Sequence, residues 1–123
     1  MGGNRQNLIS KCVNLKQYKV ILSKDAVQDI KEIKQYILRK YKYREYAENF
    51  SEKIKLAIKT LELFTRAYKR TGFNIDGHEV IYKPYNTYLI FYIVDDENVI
   101  VIRILKDRMY WQPVIERLKK INL

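Results

Sequence analysis

Arg103 is the residue of this sequence that most needs a partner. It stands in Val99-Ile100-Val101-Ile102-Arg103-Ile104-Leu105, an aliphatic and β-branched run that reads as a strand. A guanidinium stays charged at any ordinary pH, so among apolar neighbours it must meet a carboxylate of the fold or a phosphate of a ligand. Period-two alternation predicts Ile100, Ile102 and Ile104 on the face that meets helices, with Val99, Val101, Arg103 and Leu105 on the other. On that phase Arg103 lies on an uncovered face, where either partner can reach it.

More bases and rings follow at once, in Lys106-Asp107-Arg108-Met109-Tyr110-Trp111. Tyr82 and Lys83 end a neighbouring strand, and Lys69 and Arg70 enter the loop before it. Cations interleaved with aromatics suit RNA, whose phosphates meet the charges while unpaired bases stack on the rings. Lys83, Arg103, Lys106, Arg108 and Tyr110 are therefore candidates for phosphate chemistry. Lys69, Arg70, Tyr82 and Trp111 are candidates for nucleic-acid contact, although the large apolar area of Trp111 serves a core more readily. His78, the single histidine, follows Gly77 with no motif around it and reads as a turn residue rather than an acid or base. No Cys/His metal spacing, phosphate-binding glycine loop or nucleophile elbow occurs, so neither metal nor cofactor is expected.

The charge balance agrees with a polyanionic partner. The chain has 24 Lys and Arg against 14 Asp and Glu, a net charge of +10 over 123 residues. Residues 1–16 carry three bases and no acid, residues 17–65 eleven against seven, and residues 66–123 ten against seven. An excess spread in this way draws nucleic acid or an acidic protein, and equally fits a merely soluble basic surface. Cys12 is alone, which excludes a disulfide framework and fits a reducing cytoplasm. The apolar runs are too short to span a membrane, and no secretory signal is expected at the start.

Several elements must position these residues. Residues 1–16 have no amphipathic period and read as a loose leader before one domain over 17–123. Tyr18 to Leu22 is a short strand, closed by Ser23, which can cap a helix with Asp25 in its first turn. Ala26, Ile30, Ile33 and Ile37 give that helix one apolar face to about Tyr41. Ala47, Phe50, Ile54, Ala57, Leu61 and Phe64 form a second stripe. A single helix across both would be about 60 Å long at ~1.5 Å per residue, too long for this chain to cover, which predicts a hairpin near residues 42–45. Tyr68 to Gly77 reads as a loop. Glu79–Lys83, Tyr88–Val94 and Val99–Leu105 then read as an antiparallel meander, followed by a short helix from Pro113 to Lys120. The order β-α-α-β-β-β-α is an α+β fold: a small, mainly antiparallel sheet with a helical hairpin on one face.

In this arrangement the chain resembles the RelE/ParE superfamily of toxins from type II toxin–antitoxin systems. The likeness covers about residues 18–115. It rests on YKVILSKDAVQDI, the paired helices, the meander ending TYLIFYIVDDENVIVIRIL and the tail KDRMYW. It implies a growth-arresting toxin neutralised by a cognate antitoxin, whose acidic flexible segment would lie over the basic groove. Two mechanisms are implied. RelE-like members act on the ribosome as metal-independent mRNA endoribonucleases; ParE-like members trap DNA gyrase without chemistry of their own. Arg103, Arg108 and Tyr110 fall where RelE-like sites place arginine and tyrosine, with Lys83 as a partner from the next strand. Lys106 stands where many relatives carry histidine, which speaks against a histidine-type mechanism. The RelE-like reading is the one taken forward, with the ParE-like reading as its alternative.

Overall fold

Ser23 decides where the first strand stops and the first helix begins. In the computed structural model, which describes residues 18–62, 68–121 and 123, β1 runs Lys19–Leu22 and α1 runs Lys24–Tyr41. The buried Ser23 hydroxyl accepts the Ala26 N–H at 3.1 Å, filling one of the unsatisfied donors of the first helical turn. The same hydroxyl donates to the Ile102 carbonyl at 3.1 Å, so the cap also fastens helix to sheet. Asp25 in the first turn and Arg39 and Lys40 in the last complement the helix dipole. At Lys42 the backbone turns left-handed, with φ 61°, and its N–H closes on the Leu38 carbonyl. α2, Arg44–Lys59, starts two residues later and is followed by a 3-10 turn, Thr60–Glu62. The hairpin falls where helix length demanded it.

Four further strands complete one sheet: β2 Lys69–Ile75, β3 His78–Tyr85, β4 Tyr88–Asp95 and β5 Asn98–Lys106. The spatial order is β1-β5-β4-β3-β2, with β1 parallel to β5 and the remaining pairs antiparallel. The hairpin loops are Asp76-Gly77, Asn86-Thr87 and Asp96-Glu97, each opened by a residue with φ between 52° and 55°. Asp and Asn tolerate that region better than other side-chain-bearing residues. A short helix, α3, spans Gln112–Glu116 with Pro113 in its first turn, ending well before the expected Lys120.

Both faces of the sheet are covered. On one, Ala26 of α1 and Ile54, Ile58 and Leu61 from the second helical segment pack on Ile81, Tyr92 and Val101. On the other, Ile115 of α3 joins Leu89, Phe91, Ile93, Ile100 and Ile102, with Trp111 against them. Tyr88 through Ile93 are consequently buried without alternation.

Two expectations are corrected. The stretch expected as a loop contains β2, an edge strand whose register shifts between Arg70 and Asn74, around Gly72 with φ 84°. An edge tolerates such a break because only one side must pair. The phase of β5 is also different. Val99 and Val101 face the helices while Ile100 and Ile102 face α3. Phe91 pairs with Arg103 and Tyr92 with Val101, leaving Ile102 as an extra residue. This bulge resets the alternation and puts Ile104 on the helix side, while the Arg103 guanidinium reaches Asp29 of α1. The expected leader, Cys12 and Phe64 lie outside the described residues. No helix among the described residues is long and apolar enough to cross a membrane.

Candidate functional site

Just beyond the bulge, Arg103 finds its partner on α1. Asp29 is buried on the apolar side of α1, three residues after Ala26. Its carboxylate receives Arg103 Nε at 2.7 Å and an Nη at 3.0 Å, and accepts the Ile104 N–H at 2.9 Å. Burial works to lower the Arg103 pKa, but the hydrogen bonds and charge of Asp29, with Asp25 and Glu32 beyond it, outweigh that and raise it. Of the two partners open to Arg103, the fold supplies a carboxylate. Asp29 was not singled out from the sequence, although an acid beside the Ala26-Ile30-Ile33-Ile37 stripe is itself a signal of a paired charge.

Arg103 and Lys106 line one hollow of about 250 Å³, together with Tyr36, Tyr88 and Met109. Asp29 and Glu32 line it too, so its two bases are balanced by two acids. Lys106 Nζ rests 4.5 Å from the centre of the Tyr36 ring. Arg108 and Tyr110 are exposed in the turn beyond β5, Tyr110 by 77%. Lys83 is not part of this hollow. Its ammonium donates to the Ala57 carbonyl at 3.0 Å and to Thr60 Oγ1, and lies 5.3 Å from the Tyr68 ring centre. That lysine closes the exposed carbonyl end of α2.

The remaining candidates lie elsewhere. Trp111 packs 5.0 Å from Phe91, 5.6 Å from Tyr82 and 6.4 Å from Phe73, centroid to centroid. Tyr82 and Trp111 are thus partners of each other on the α3 face, and neither offers a free ring. Arg70 pairs with Glu79 at 2.8 Å on the exposed edge, and Lys69 sits opposite Tyr82 in the register. His78 opens β3 and lies 3.4 Å from the Asp95 carboxylate. Among the described residues, no three His, Cys, Asp or Glu side chains converge as metal ligands do.

A sheet led by a parallel N-terminal strand, roofed by a helical hairpin and followed by a basic, aromatic turn defines the chain as a RelE/ParE-type toxin. Residues 20–111 match the ParE toxin of the type II toxin–antitoxin system parDE, and the chain belongs to that family. A structure of the chromosomal ParDE toxin–antitoxin system from P. aeruginosa is similar in fold, with a TM-score of 0.60 at 13% identity. The likeness covers 73% of this chain and 96% of that one. No curated protein sequence matches. Membership of the family makes this chain the toxin of a type II pair, with a cognate antitoxin as its partner.

Proposed function

We propose that this toxin acts as a binding module on DNA gyrase and carries out no cleavage of its own. The observation that supports the reading is the two-point pair between Arg103 and Asp29. In an endonuclease the Arg103 guanidinium would hold the scissile phosphate and stabilise charge on its non-bridging oxygens. Here that capacity is spent on a carboxylate of the protein's own first helix. Lys83, the expected partner in such a site, is likewise committed to the end of α2. What stays open at the end of β5 is Lys106, Arg108 and Tyr110, a basic and aromatic edge suited to contact. The match to the ParE family supports the same choice.

The test is a pair of parallel reactions, one a translating bacterial lysate and one a gyrase supercoiling assay. The expected result is cleaved or unsupercoiled plasmid beside intact mRNA. Ribosome-dependent, codon-phased cuts in mRNA, slowed by Arg108→Ala, would instead return the protein to the endonuclease class.

A further inference from the structure

Between the tip of the helical hairpin and the β3–β4 turn lies a groove of about 770 Å³. Three lysines from three elements line it: Lys40 in the last turn of α1, Lys53 in α2 and Lys106 at the end of β5. No acidic residue lines it, and among the described residues none of the three is ion-paired. The walls carry Tyr36, Tyr41 and Tyr46, which are 39%, 48% and 52% exposed. Lys40 Nζ lies 5.7 Å from the Tyr36 ring centre and 5.4 Å from that of Tyr41. Tyr41 and Tyr46 stand 5.3 Å apart and tilted, and Phe50 against Tyr88 makes a packed floor.

Internal satisfaction does not account for this surface. Exposed cation–ring contacts are each worth only ~0.5–1 kcal/mol, too little to explain three large rings held partly in water around ammonium groups that have no carboxylate partner among the described residues. An acidic peptide would use the lysines and leave the rings idle. A duplex would use the lysines too, but its bases are already stacked. Phosphates on the ammonium groups with unpaired bases on the ring faces would use both.

We propose that this groove binds single-stranded nucleic acid, its phosphates on Lys40, Lys53 and Lys106 and its bases on Tyr41 and Tyr46. The proposal goes beyond the gyrase reading and does not depend on it: plasmid and mRNA assays can come out either way without bearing on this groove.

The test is fluorescence anisotropy of the full-length toxin with labelled oligothymidylate and oligouridylate of about ten nucleotides, a length within the site sizes of known single-strand binders. Comparing the two distinguishes DNA from RNA as the source of the strand. With three phosphates neutralised, log affinity should fall against log salt with a slope of about −2, at ~0.7 per phosphate on a single strand. Each of Lys40→Gln, Lys53→Gln and Lys106→Gln should make that slope shallower by ~0.7. Lys31→Gln and Lys55→Gln, exposed on the same helices but outside the groove, should leave it unchanged. Tyr41→Ala and Tyr46→Ala should each weaken binding by about tenfold, while the Phe variants keep it. Unchanged circular-dichroism melting shows that each variant is folded. Equal effects of the lysines outside the groove, indifference to Tyr41→Ala and Tyr46→Ala, or no binding at low salt would overturn the proposal. So would displacement of the oligonucleotide by an equal concentration of polyglutamate, which would give the groove to an acidic protein segment.

Discussion

Asp29 and Arg103 stand 74 positions apart in the chain and meet at two points, Oδ2 to Nε at 2.7 Å and Oδ1 to a terminal guanidinium nitrogen at 3.0 Å. The carboxylate also takes the Ile104 N–H, so one acid joins α1 to the bulged part of β5. The pair fastens the first helix to the sheet at a residue that the sequence marks as needing a counter-charge.

Removing one partner should therefore cost more than removing both. Asp29→Ala leaves a half-buried guanidinium and an orphaned Ile104 N–H. Because Arg103 keeps a quarter of its side chain in water, the expected loss is about 2–3 kcal/mol, toward the low end for a broken buried pair. The double variant Asp29→Leu with Arg103→Met should recover most of that loss. Urea unfolding of the three proteins checks both statements, and a double variant as unstable as Asp29→Ala would contradict them.

Ser23 tests the junction of β1 and α1. Ser23→Ala removes both the acceptor for Ala26 and the donor to Ile102, and should cost ~1–2 kcal/mol. Ser23→Asp keeps a capping oxygen but places a charge against the Ile102 carbonyl, so it should be no less destabilising. A stable Ser23→Asp variant would show that the cap alone matters.

Tyr88 sets an alkaline limit. Its burial, reinforced by repulsion from Tyr36 and Tyr41 as they ionise and only partly offset by Lys40, pushes its pKa above the ordinary tyrosine value. The folded protein then holds a proton that the unfolded chain gives up, so this contribution is complete below the unfolded pKa of about 10 and is lost as pH rises through the folded one. Stability should fall over that window more steeply in the parent than in Tyr88→Phe. Parallel curves of unfolding free energy against pH would remove Tyr88 from the account.

Arg108 and Tyr110 separate function from folding. Both are exposed beyond β5, so Arg108→Ala and Tyr110→Ala should change stability by no more than ~0.5 kcal/mol. If the open end of β5 contacts the target, the double variant should lose growth arrest when expressed without antitoxin. Full toxicity in a stably folded double variant would move the contact surface elsewhere.

The helices were legible because each has one apolar stripe and Ser23 offers a recognisable cap. The hairpin followed from length alone, with Lys42 taking the left-handed turn that glycine more often fills. β2 was hidden because Gly72 and Asn74 are loop residues by type, and only pairing with β3 makes them part of a strand. The phase of β5 could not be read from Val99 to Leu105. Buried on both faces, its apolar residues carry no alternation, and the bulge at Ile102 has no mark in the sequence. The need of Arg103 for a counter-charge was legible; that Asp29 supplies it depends on where α1 crosses the strand.

The parallel pairing of β1 with β5 has a consequence for synthesis. Residues 19–22 can find their hydrogen-bonding partners only when residues 98–101 have been made. Closing so long a loop is slow, and no local segment substitutes for it. The nascent chain thus cannot close its sheet until residues 98–101 have been made, and a toxin of this family stays without its finished sheet while everything between is translated.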